Sequence, residues 1–150
     1  MRHVQQPALR PDATYLARLQ PFLTSQMRSV LVDWLVEVAD DFRLHTETLF
    51  LAVSYLDRFL SSRQIQREEL QLLGIACLYI AAKYEEINPP HIEKFAYVTD
   101  NACSTEDIVA VEAEVLCCLH FRLSVPTSKV RLGQLMLCTG TSSCILPENN

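Results

Sequence analysis

Glycine is nearly missing from this 150-residue chain: there are only 3, and none is near another. A loop that cradles phosphate needs clustered glycines, and no such loop is present. Few glycines with 49% apolar residues argue for a compact helix-rich globule over a disordered or fibrous chain. There are 6 cysteines but no Cys-x-x-C pair, so a zinc site has little support. Cys77 lies in an apolar helical stretch and Cys117-Cys118 are adjacent on another, which suits buried reduced thiols; for Cys138 and Cys144, in the tail, a disulfide stays open. The 13 Lys and Arg are scattered, and a net charge of −5 disfavours nucleic acid as a direct partner. The longest nearly apolar run, Leu70 to Ala82, is broken by Gln71 and Gly74 and falls short of the roughly 20 residues of a membrane span. Met1 to Pro7 lacks the apolar core of a signal peptide. A soluble, intracellular chain is the expectation. Period-two alternation and Asn-Gly or Asp-Gly turns are also lacking, so strands are not expected. Self-similar helix pairs, the mark of repeat arrays, are absent.

Catalytic groupings are equally sparse. His45 with Glu47 and His91 with Glu93 are lone pairs without the His-Glu-x-x-His spacing of a metal site. Cys118 and His120, two residues apart on a helix, point apart, whereas a nucleophile needs its base within hydrogen-bond reach. The chain reads as a non-enzyme with no cofactor and no metal, whose function rests on its surfaces.

Helical periodicity is abundant. Residues 1–11, with Pro7 and Pro11, should be extended or disordered. Asp12 can cap a short helix through Gln20, ended by Pro21. A first long helix is predicted from Ser25 to Phe42. A second begins with Thr46 as N-cap, carries Leu49, Ala52, Val53, Leu56 and Leu60 on one stripe, and stops at Ser61-Ser62. The third, Arg67 to Glu86, holds the apolar run and should be innermost. Pro89-Pro90 stops it and lets a short fourth start near His91. Ser104-Thr105-Glu106-Asp107 opens the fifth as a capping box with Asp for Glu, followed by Ile108, Val111, Val115 and Leu119, and Pro126 closes it. The fold class is all-α: a five-helix domain preceded by a short N-terminal helix.

The Ser25–Phe42 helix has too many apolar faces. Met27, Val30, Leu31, Trp34 and Val38 form one stripe; Val32, Leu35, Val36 and Ala39 form another, with Asp33, Glu37 and Asp40 in a narrow acidic strip. Taken alone, either stripe can be core. With Val32, Leu35 and Val36 as the core face, the first is left as a surface groove.

Met27 to Val38 resembles the opening of the cyclin box. So do Tyr55-Leu56-Asp57-Arg58-Phe59-Leu60, Leu70-Gln71-Leu72-Leu73-Gly74, Ala81-Ala82-Lys83-Tyr84-Glu85-Glu86-Ile87, Tyr97-Val98-Thr99-Asp100 and Phe121-Arg122-Leu123. The resemblance runs in order from Tyr15 to Thr127 and is strongest to A-type, mitotic cyclins; B-type relatives usually carry Gln where this chain has Glu37. It implies a regulatory subunit, nuclear and cytoplasmic, that binds and activates a cyclin-dependent Ser/Thr protein kinase in cell-cycle control. Arg28, Asp57, Leu72, Lys83 and Glu112 match the family's most characteristic set. The resemblance assigns kinase binding to Lys83, Glu86, Ile87, Glu112 and Phe121, and an internal ion pair to Arg28 and Asp57. Without it, Lys83 and Glu112 read as solvated charges at helix ends. It also implies a groove of Met27, Val30, Leu31, Trp34, Glu37, Leu70 and Gln71 that accepts Arg-x-Leu segments of substrates or inhibitors, the apolar residues taking the Leu and Glu37 pairing with the Arg. Val30 replaces a larger aliphatic residue of animal relatives.

The expected organisation is an N-terminal extension with a short helix (1–24), a cyclin box (25–127) and a divergent, disordered tail (128–150). Relatives continue with a second five-helix repeat after the Pro-Thr that matches Pro126-Thr127, so the chain reads as a truncated gene product or short isoform. Such a chain is expected to expose apolar surface and to bind a kinase weakly. Arg28-Ser29-Val30-Leu31 and Arg67-Glu68-Glu69-Leu70 have the spacing of a destruction motif, but both fall in predicted helices and read as chance. Two other readings stand beside this one: a kinase-independent helical scaffold, and a cyclin-like DNA-binding factor, which the chain's acidity disfavours.

Overall fold

Helices form wherever apolar residues recur every three to four positions. The computed structural model describes residues 14–124. In chain order these carry α1 (Tyr15–Leu19), α2 (Ser25–Asp41), α3 (Thr46–Leu60), a 3-10 turn (Arg67–Glu69), α4 (Leu70–Glu85), α5 (Ile92–Val98) and α6 (Thr105–Cys118). Among the described residues there is no strand. The expected all-α architecture is what the chain adopts, with one short helix ahead of five. The expected cap at Asp12, the Cys138 and Cys144 pair, and the closing role of Pro126 lie outside the described residues.

Helix starts follow local chemistry. The Thr24 hydroxyl accepts from the Met27 N–H at 3.2 Å and opens α2. Ser104 and Asp107 form a reciprocal capping box at α6: the Ser104 Oγ accepts from the Asp107 N–H at 3.1 Å, and Asp107 Oδ2 accepts from the Ser104 N–H at 3.2 Å. Removing such a cap typically costs about 1 kcal/mol. At α3 the N-cap is His45, not the expected Thr46, and His45 offers no side-chain cap of its own.

Helix ends follow geometry that the sequence disguises. At the end of α6 the His120 N–H bonds the Cys117 carbonyl and the Phe121 N–H bonds the Leu116 carbonyl, the Schellman pattern. The left-handed residue there is usually Gly; here it is His120, at φ 54°, with Phe121 also at φ 56°. α2 ends the same way: Arg43, at φ 55°, bonds Asp40 and Leu44 bonds Ala39. The chain therefore turns out of α6 at Leu119, well before Pro126.

α4 is the central helix. Ten of its positions, from Leu70 to Ala82, are buried, including Ile75, Ala76, Cys77 and Leu78 with no exposure at all. α3 covers one side through Leu51, Ala52, Tyr55, Leu56 and Phe59. α2 contributes Leu31, Leu35, Val38 and Ala39. This corrects the expected core face: Val36 is exposed and Val32 only half-buried. Positions 31, 35, 38 and 39 follow the i, i+4, i+7, i+8 stripe, and Leu31 seats so closely on α4 that a Cβ on Gly74 would lie 2.8 Å from its Cδ1. A side chain there would have to push the end of Leu31 aside, which favours the glycine.

Buried polar groups tie the ends together. Gln20, 2% exposed, donates from Nε2 to the carbonyls of Leu60 and Arg63 and accepts from the Ile65 N–H. Phe95 of α5 packs edge-on against Phe42 and Tyr79, with ring centroids 5.1 and 5.2 Å apart.

Candidate functional site

Two surface regions gather most of the residues singled out from the sequence. In the first, Lys83 near the end of α4 pairs with Glu112 in the middle of α6. The Lys83 ammonium also stands 4.3 Å from the Tyr79 ring centroid. The lysine side chain is 43% exposed and the glutamate 13%, so the pair lies at the boundary between core and solvent. Near its ends in the chain stand two uncovered apolar side chains, Ile87 at 90% exposure and Phe121 at 66%. Open apolar groups beside a charge pair suit a docking face.

The segment carrying Phe121 is held from behind by α3. The Tyr55 hydroxyl donates to the Leu123 carbonyl at 2.7 Å, and Arg58 Nη1 donates to the Arg122 carbonyl at 2.8 Å. Both side chains are buried. Burial raises the Tyr55 phenol and lowers Arg58 from their ordinary values, each shift reflecting the cost of charge away from water. The two carbonyls are thereby satisfied, and the reversed backbone at His120 and Phe121 is fixed.

Glu86, expected with the kinase-binding set, makes its contacts within the chain. Its side chain is 8% exposed and folded onto the start of α3. Oε2 accepts from the His45 N–H at 2.7 Å and the Thr48 hydroxyl at 2.5 Å, while Oε1 meets His45 Nδ1 at 2.9 Å. Burial would raise its carboxyl, but the bonds from Thr48 and His45 outweigh it and hold the group below its ordinary value. The carboxylate is engaged at the start of α3.

The second region is a cleft of about 670 Å³ between the start of α2 and the start of α4. Met27, Val30, Leu31, Trp34, Leu70 and Gln71, six of the seven residues expected to line a groove, share it. Glu37, one turn beyond Trp34, is exposed but stands outside the lining. Thr24, Gln26 and Arg67 join the rim, and sequence reasoning missed them. Arg67 lies one turn ahead of Leu70 and Gln71, a spacing from which it could have been found. Leu31 belongs to both core and cleft, so the groove is the open margin of the core and not a separate helix face. Arg28 and Asp57 meet as a bidentate pair, Nε to Oδ1 at 2.7 Å and Nη2 to Oδ2 at 2.6 Å, joining α2 to α3.

Among the described residues, no group of three or more His, Cys, Asp or Glu could hold a metal. Burial pushes the Cys77 thiol upward, opposite to the shift that activates a nucleophile. A second cleft, with Asp41, Arg43, Glu93, Lys94 and Tyr97 on its walls, carries charge of both signs and favours no ligand class. No helix among the described residues is long and apolar enough to cross a membrane.

Residues 1–124 match the family model of the N-terminal domain of cyclins. A putative cyclin-A3-1 of Arabidopsis thaliana is 50% identical over 123 residues, 82% of this chain and 35% of the relative. Cyclin-A3-2 of Oryza sativa subsp. japonica is 48% identical over 145 residues, 96% of this chain and 36% of the relative. Cyclin-A1-1 of Arabidopsis is 50% identical over 127 residues, 85% and 28% respectively. The chain thus spans about a third of the length of these curated relatives. In fold it is similar to the X-ray structure of a viral cyclin from herpesvirus saimiri, with TM-score 0.74 and 24% identity over 99% of this chain and 63% of that one. With its A-type relatives and a domain match over most of its length, the chain belongs to the cyclin family.

Proposed function

We propose that this domain is the kinase-binding part of a non-catalytic regulatory subunit that activates a cyclin-dependent Ser/Thr protein kinase and recruits its substrates. The observation that carries this reading is the Lys83–Glu112 pair, half open to solvent and accompanied by exposed Ile87 and Phe121. A charge pair of this kind fixes register, while the apolar side chains supply burial. The mechanism is a population shift. A free kinase rarely holds its catalytic Lys–Glu ion pair and activation loop in place, and a partner that binds only the ordered arrangement stabilises it. The cleft beside Trp34 suits an extended Arg-x-Leu segment: Leu31, Leu70 and Val30 take the leucine, and the exposed Glu37, outside the lining and one turn beyond Trp34, attracts the arginine.

Capture by a purified cyclin-dependent kinase tests the reading, with Lys83→Ala and Glu112→Ala beside the wild type. Both variants should be captured far less efficiently; equal capture of all three sinks the interface assignment. Binding without stimulation of histone phosphorylation would leave the chain as a scaffold.

A further inference from the structure

Glu86 sits in the chain between Lys83 and Ile87, two residues of the proposed kinase surface, yet its own carboxylate faces inward. All its partners belong to the N-cap and first turn of α3: the His45 N–H, the His45 ring and the Thr48 hydroxyl. His45 and the first turn have no side-chain cap of their own; a carboxylate from beyond α4 takes the His45 N–H and the Thr48 hydroxyl, and its charge suits the helix N-terminus. The main chain of Glu86 is still held to α4, its N–H bonding the Ala82 carbonyl at 2.9 Å. After it the chain leaves the helix, presents Ile87 to solvent and reaches Pro89-Pro90. The carboxylate is therefore the lateral fastening of the 87–91 turn.

We infer that Glu86 is a positioning residue: by capping α3 it fixes where Ile87 stands relative to Lys83, and so sets kinase affinity without touching the kinase. The inference rests on the kinase surface proposed above, and its test separates the two. Kinase binding is titrated on the full chain for the wild type, Glu86→Ala, Glu86→Gln, Thr48→Val and Lys83→Ala, with amide exchange across residues 86–91 measured in the free chain. Glu86→Ala should bind about tenfold more weakly and exchange faster in the turn. Glu86→Gln should stay within about threefold of the wild type, because the amide oxygen can accept from the His45 N–H and Thr48 while its NH2 donates to the His45 ring. Thr48→Val, which keeps shape and removes one donor, should fall between them and carries the test if Glu86→Ala does not fold. Wild-type affinity for Glu86→Ala and Thr48→Val, alongside a weak Lys83→Ala, overturns the inference. So does Glu86→Gln binding as weakly as Glu86→Ala, which would mark the charge itself as the contact, or a lowered melting temperature with unchanged affinity. Wild-type affinity for Lys83→Ala instead removes the kinase surface, and amide exchange then still reports whether Glu86 holds the turn.

Discussion

The cleft beside Trp34 and the face around Lys83 are built by different physics. The cleft has its shape because Leu31 and Leu70 are core residues whose outer edges reach the surface, and its walls are mainly apolar. The Lys83 face carries Ile87 and Phe121 as its most open apolar side chains, and what holds their segments in place is polar. Tyr55 and Arg58 fix the carbonyls next to Phe121, and the Glu86 clasp fixes the turn at Ile87. A packed surface tolerates change in small steps, since neighbouring side chains can give. A hydrogen-bonded one fails abruptly, because each lost partner leaves a buried polar group unsatisfied. The two regions should therefore respond to mutation independently and with different steepness.

The largest effect is expected at the charged pair. Lys83→Ala removes a proposed contact and leaves the mostly buried Glu112 carboxylate without its partner, and should weaken kinase binding by about 2 kcal/mol or more. Docking of an Arg-x-Leu peptide at the cleft should be unchanged. The complementary variant is Trp34→Ala, which should cost the peptide about 2 kcal/mol and leave the kinase titration near wild type. Trp34 is the chain's only tryptophan, so its fluorescence in the wild type and in Lys83→Ala reports cleft occupancy directly. Loss of both activities in either variant would show that the regions are one coupled surface.

The parts of this division that sequence could carry are those written in residue type. Ser104 marks a helix start, and the run from Leu70 to Ala82 marks the central helix. The parts it could not carry are those written in position. Both α2 and α6 end at a left-handed residue, and with Arg43 and His120 there the glycine signal of a helix end is missing. On α2 two apolar stripes compete, and only the close seat of Leu31 on Gly74 selects the one through Leu35 and Val38. Glu85 and Glu86 are identical in type; the structure alone shows that Glu85 is exposed while Glu86 turns toward Thr48.

Gly74→Ala probes the packed region where it touches the core. The new methyl would press on the end of Leu31, which must give way into the cleft it floors. Overpacking of this kind costs about 1–3 kcal/mol, offset in part by the roughly 0.5–1 kcal/mol that alanine gains over glycine in a helix. The net expectation is a small loss of stability in chemical denaturation, with peptide docking reduced more than kinase binding. An unchanged cleft affinity would mean that Leu31 does not shape the pocket floor.

Acid titration gives the smallest effect and isolates the polar region. The Glu86 carboxyl lies below its ordinary value of 4.5 in the folded chain, since bonds from Thr48 and His45 outweigh the opposing effect of burial. The unfolded chain therefore takes up this proton at a higher pH than the folded one. The stabilisation is complete above the unfolded value and fades as pH falls through the folded one. Glu86→Gln has no proton to gain, so its stability should lack this component of the acid decline. Denaturation midpoints of the two proteins, measured from neutral pH downward, should differ by a constant amount until about pH 5 and then converge. Parallel curves to the lowest pH would place the carboxyl outside the α3 cap, whereas convergence confined to the acid range ties the Ile87 turn to a charged hydrogen-bond acceptor and not to packing.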